Sequence, residues 1–349
     1  MPPRVHIFNN IRATQDTARI RTELFYGASS PFSLLQHLEV HLPAQAAPAV
    51  YSEVDTDEVQ DGGESIKSYS YQSIVFDDLP TPTQHANHPE TISYAMAKAS
   101  LRNFLLTASH RMPFLNSNDL CNAFERLYVH GDGTPLDTPD RAIVVIALAM
   151  GATPTIDNPC RQNLLIQARA EAELMLYNIS LKTVQATLMM AQCEFEAGNP
   201  NICYLHLGSA IRKAFAAGIH RASSLEAKQT MWALYCDESL ICSEFGRQFG
   251  LMEENIAMPM HEKSSYMSFF VRLCTIVRSA YRIYCLNGTI AADLTWAKTV
   301  HGQLCEFSGM LEADMTVEIG GQPYALTGEK LSWHITFSYG KSASCFGRR

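Results

Sequence analysis

The stretch SLKTVQATLMMAQCEFEAGNPNICYLHLGSAIRKAFAAGIHR, residues 180–221, decides the fold. Ser180 is a good helix cap, and Val184, Leu188 and Ala191 then recur at helical spacing until Gly198 stops the run. Pro200 opens a second run through Ala217, and Gly218 supplies the left-handed residue that ends it. At 1.5 Å per residue each helix is about 25 Å long. The short connection folds them back as an antiparallel hairpin, about the size of a tetratricopeptide-type unit. No second copy follows at a fixed period, so the hairpin is not one of a solenoid array. Gly208, in mid-helix, predicts a close approach to the helix presenting Val184, Ala186, Thr187 and Met190.

The same punctuation extends outward. Ile92, Met96, Ala99, Phe104, Leu105 and Ala108 begin a helical pattern. Thr138 as cap and Pro139 as first helical residue open a helix that Gly151 closes. Further helices are predicted over 159–177, 224–245, 265–286 and 290–311. Alternating β-branched residues are nearly absent, so the fold class is all-α, a multi-helix bundle of antiparallel hairpins. Four segments are expected: 1–42, an N-terminal segment; 43–89, a disordered loop or linker rich in acids and turn formers; 90–312, the helical domain; and 313–349, an irregular tail with glycines at 320, 321 and 328.

Composition excludes several classes. Apolar residues make up 47% and charged residues 18%, enough apolar side chains to bury a core. The net charge is −8 and no run of Lys or Arg reaches four, unlike the basic face of a free-standing DNA binder. The longest apolar run, Ala142 to Met150, is about half of what a membrane helix needs, so no membrane partner is expected. The N-terminus lacks a secretory layout, and the ten cysteines are then reduced thiols, several on apolar helix faces. His37 and His41 share a helical face, but no third ligand lies near them. Phosphate loops, nucleophile elbows and paired-aspartate motifs are absent, so no residue is nominated as catalytic or metal-binding.

An ordered set of short motifs remains. Phe25-Tyr-Gly-Ala-Ser-Ser30, His110-Arg-Met-Pro-Phe-Leu115, Ile146-Ala-Leu-Ala-Met-Gly-Ala152 and Ser180-Leu-Lys-Thr-Val-Gln-Ala186 come first. Tyr204-Leu-His-Leu-Gly-Ser-Ala-Ile-Arg212, Ala217-Gly-Ile-His-Arg221 and Met231-Trp-Ala-Leu-Tyr235 follow, with Asp237 and the pair Gly246 and Arg247. In this order the set resembles the regulatory, or middle homology, domain of fungal zinc-cluster transcription factors, over roughly residues 25–260. Met231 stands where that family often has a second Trp, and Gln248 where it has Pro; both are packing or turn positions.

The resemblance implies a nuclear regulator of RNA polymerase II transcription, all-helical and non-catalytic. It also implies a homo- or hetero-oligomer with related factors, and a possible small-molecule effector. DNA binding and zinc are implied only through the family's separate six-cysteine module, whose halves each open with Cys-x-x-Cys. Here the first cysteine is Cys121 and no Cys-x-x-Cys occurs, so the chain is expected to be truncated relative to the family and to hold no zinc cofactor of its own. A DNA-independent partner-binding or small-molecule-sensing module stays open as the alternative. The positions singled out, as structural or as effector-contact residues, are Arg212, His220, Arg221, Asp237 and Arg247, together with Trp232 and Gly246. His220 and Arg221 sit past a helix C-terminus, where capping and a buried ion pair are expected. Trp232 and Tyr235 share a core face, and Asp237 is expected to pair with Arg212 or Arg247.

Overall fold

A computed structural model describes residues 11–16, 21–27, 30–31, 60–61, 64–65, 92–128, 136–152, 159–256, 266–282 and 294–309. His37, His41, most of 43–89 and the tail after 309 lie outside the described residues. Helices dominate what is described: α1 (Tyr94–Thr107), α2 (Ser117–Tyr128), α3 (Thr138–Gly151), α4 (Pro159–Leu174), α5 (Leu181–Glu196), α6 (Pro200–Ala216), α7 (Leu225–Phe245), α8 (Tyr266–Tyr281) and α9 (Leu294–Gly309). None is long and apolar enough to cross a membrane among the described residues. Two features were not expected. The stretch Ser117–Tyr128 is a helix, and the N-terminal segment holds an antiparallel pair, β1 (Ile11–Asp16) with β2 (Arg21–Tyr26). A two-residue pair, β3 (Gln60–Asp61) with β4 (Glu64–Ser65), falls inside the expected linker.

Two helices form the centre. In α3 every residue from Ala142 to Gly151 is buried. In α5 every residue from Thr183 to Glu194 is buried. A helix buried on all sides has to be surrounded, and the neighbours do so. The α5–α6 hairpin forms as its sequence implies, α3 packs on α1, α2, α4 and α5, and α7 lies against α5, α6 and α8. Local chemistry fixes the ends. Ser180 and Thr183 form a capping box at α5, and the Ser224 hydroxyl accepts the Ala227 amide at 3.3 Å to start α7. The α3 cap is Asp137, one residue before the expected Thr138, because its carboxylate accepts the Asp140 N–H at 3.0 Å.

Gly208 does not mark a close helix approach. It is exposed, and a Cβ placed on it would meet nothing within 4 Å. The buried residues of α6 instead include Cys203, Leu207, Ala210 and Ala214. Gly208→Ala is therefore expected to raise stability by about 0.5–1 kcal/mol, read as a higher urea midpoint. A lower midpoint would show that something packs on that face.

Candidate functional site

Helix α7 buries three consecutive polar residues, Asp237, Glu238 and Ser239. Glu238 meets Arg278 of α8, Nη2 to Oε2 at 2.8 Å, with both side chains almost wholly buried. The carboxylate also accepts the backbone N–H groups of Gly250 and Leu251. Arg278 donates further to Ser239 Oγ, to the Leu251 carbonyl and, at 3.3 Å, to the Tyr235 carbonyl. Its guanidinium lies 4.0 Å from the Tyr235 ring centroid and 4.3 Å from that of Phe249. Burial pushes the Glu238 carboxyl upward, against the pull of Arg278 and the two amides. This knot ties α7, α8 and the 249–251 turn together.

The second polar centre joins the N-terminal segment to the end of α7. Arg247 is buried and lies over three aromatic rings, Tyr204 at 4.9 Å, Tyr26 at 5.1 Å and Phe245 at 5.6 Å. It donates to the Phe25 carbonyl at 3.3 Å and to Asn201 Oδ1, and Asn201 Nδ2 donates to the Tyr26 hydroxyl at 3.2 Å. Gly246 turns the backbone at φ +66°, and the Gly27 N–H donates to the Phe245 carbonyl at 2.9 Å. Phe25-Tyr26-Gly27 and Gly246-Arg247, two motifs about 220 residues apart, thus form one clasp.

Asp237 pairs with neither Arg212 nor Arg247. Arg212 is exposed on the outer side of α6, and the next residue, Lys213, is the buried cation, donating to the Met175 carbonyl at 2.9 Å and to Thr187 Oγ1 at 3.1 Å. The turn at Gly246 aims Arg247 at α6 and Tyr26. Asp237 instead accepts from Gln192 Nε2 of α5. Burial raises its carboxyl to about 6, opposed by the Arg111 charge and the Gln192 hydrogen bond and reinforced by Glu196. Arg111 itself is engaged by Glu196 at 3.2 Å.

A carboxyl raised in the folded state binds its proton more tightly there than in the unfolded chain. The stability this adds is present in full below the ordinary value of 3.8 and is lost as pH rises through about 6. Asp237→Asn is expected to flatten the decline in urea midpoint between pH 4 and 6.5 and to stabilise the protein at neutral pH. A slope equal to that of the parent would remove Asp237 as its source.

His220 and Arg221 occupy a single 3-10 turn after α6, held by Gly218 at φ +68°. Contrary to the expected ion pair, Arg221 is exposed and neither residue meets a carboxylate among the described residues. The His220 ring packs edge-on against Phe215 at 5.0 Å, and its Nδ1 is buried without a hydrogen bond. Phe215, His220, Arg221, Glu254 and Asn255 line an open cleft of about 730 Å3. Trp232 and Tyr235 pack in the core with rings 5.5 Å apart, edge to face. The structure therefore separates the seven singled-out positions. Gly246 and Arg247 are in the clasp, His220 and Arg221 in the cleft, Trp232 and Asp237 in the interior and Arg212 on the surface. Sequence reasoning missed Arg278, Asn201, Gln192 and Lys213.

Buried polar ties hold the helices of this scaffold together. Comparison with known proteins adds a family: residues 101–272 match the model of the fungal specific transcription factor domain. The family is one of transcription factors, not an enzyme class. Protein STB5 of Saccharomyces cerevisiae is 24% identical over 172 residues, a match covering 43% of this chain and 22% of that protein. The chain thus spans about a fifth of the length of that relative. No solved structure matches. The Phe25–Ser30 motif lies outside the matched residues, yet it docks through Gly27 onto Gly246, within them. The cysteines contain no Cys-x-x-Cys, and no three His, Cys, Asp or Glu side chains converge among the described residues.

Proposed function

We propose that this chain is the regulatory domain of a fungal zinc-cluster type transcription regulator, acting in the nucleus on RNA polymerase II transcription of target genes. The family match over residues 101–272 carries the reading, and the clasp supports it by tying a motif outside that region into the same body. Regulation then consists of shifting helix interfaces between two packings, with α7, which carries both the Glu238 knot and the Gly246 turn, as the shared element. The test is a fusion of residues 1–349 to a heterologous DNA-binding domain in front of a reporter in yeast. Output should differ several-fold from the DNA-binding domain alone, in either direction, and Gly27→Ala should change it at equal protein level. Identical output from all three at matched abundance would sink the proposal.

The cleft supports a second reading, small-molecule sensing. Its volume lies in the range of ligand sites, and His220 Nδ1 has a hydrogen bond left to give or take. An effector acting there should lose its influence on reporter output in His220→Ala while leaving the basal level unchanged.

A further inference from the structure

On α9 the pair His301 and Cys305 has no part in the core or in either tie. Both are exposed, four residues apart, so they stand one turn above each other on the same face. The opposite face seats the helix: Val300, Leu304 and Phe307 are buried, and the Phe307 ring meets Phe269 of α8 at 6.5 Å. The chelating face is therefore held outward by packing.

The distance between the two side chains is informative. His301 Nε2 lies 3.5 Å from Cys305 Sγ. In a tetrahedral zinc site, Zn–N of about 2.0–2.1 Å and Zn–S of about 2.3 Å place the two ligand atoms about 3.5 Å apart. The pair already spans one edge of that tetrahedron. Cys305 is also the one exposed thiol among the described residues: Cys121 and Cys160 are half-buried, and Cys193, Cys203, Cys236, Cys242 and Cys274 are buried. Gly302, between the ligands, leaves open space where a Cβ would stand, so no side chain at that position crowds an incoming ion.

We propose that His301 and Cys305 form a surface chelate for a borderline-soft divalent cation of the zinc class. Imidazole and thiolate suit that class over magnesium or calcium, which prefer oxygen ligands. The ion binds neutral His301 through Nε2 and the Cys305 thiolate, with the thiol proton released to solvent. Water fills the remaining positions, or the same pair from a second copy does so. The bridge closes one helical turn and so stiffens α9 itself.

The probe is Co2+ added to the full chain under a non-chelating phosphine reductant. Binding should give a thiolate-to-cobalt charge-transfer band in the near ultraviolet, and Zn2+ should abolish it. Cys305→Ser should lose the band, and His301→Ala should weaken apparent affinity at least tenfold. Both positions are exposed, so helical circular dichroism should be unchanged in either variant. One ion per chain at unchanged mass fits completion by water, and one per two chains at doubled mass fits completion by a second copy; each supports the chelate. A band retained in Cys305→Ser, or parental affinity in His301→Ala, overturns it. So does the absence of any band.

Discussion

Arg278→Met should destabilise the protein by about 3–5 kcal/mol at neutral pH, because it strands a buried carboxylate. Glu238 keeps the Gly250 and Leu251 amides but loses its only counter-charge among the described residues. The Leu251 and Tyr235 carbonyls lose their donor at the same time. The effect should shrink at low pH. Burial already raises the Glu238 carboxyl, and without Arg278 it rises further, so acid restores stability by protonating the stranded group. Replacing both partners with Met removes the stranded charge as well as the bond. The double variant should therefore be much less damaged than the sum of the single ones. Urea unfolding of the four proteins at pH 7 and pH 5 measures both effects. An Arg278→Met midpoint within about 1 kcal/mol of the parent would mean that the pair is solvated rather than buried.

Whether such ties can be read from sequence depends on how far apart their partners lie. The helices were legible because capping residues and stop glycines act within one turn: Ser180, Pro200, Ser224 and Gly246 sit where the element ends are. The core faces were legible because a 3.6-residue period is local too. For Asp237 the sequence suggested a salt bridge, with the partner chosen by charge alone. The structure supplies an uncharged Gln192 from α5, on a face where helical periodicity leaves Gln, Thr and Glu side chains pointing inward. Arg278 did leave a signal. It is in phase with Val271, Cys274 and Tyr281 on the apolar face of α8, and a cation on such a stripe needs a buried acid. Nothing local says that the acid is Glu238, 40 residues upstream. The β1–β2 pair and α2 were missed for other reasons. The first has no apolar alternation, and Asn and Asp crowd the start of the second.

Gly27→Ala should release the N-terminal segment from the helical body. A Cβ on Gly27 would stand 2.2 Å from the Gly246 carbonyl oxygen, and one on Gly246 would stand 2.3 Å from the Gly27 Cα. Both obstacles are backbone, so no rotamer change relieves them, and the segment must move away. Leaving takes Tyr26, which is wholly buried, out of its pocket and uncovers the Arg247 guanidinium. Losing a buried aromatic costs about 3–5 kcal/mol. Gly246→Ala should be worse by about 1–2 kcal/mol, because it adds a left-handed residue with a Cβ to the same clash. Amide exchange separates the two causes. Gly27→Ala should unprotect the Gly27 N–H, which donates to Phe245, while α7 stays protected. Gly246→Ala should also fray the last turn of α7, where the cap amide returns to Cys242. If the Gly27 variant kept its protection and its resistance to limited proteolysis, the two glycines could not be in contact, and α7 would lose its link to the N-terminal motif.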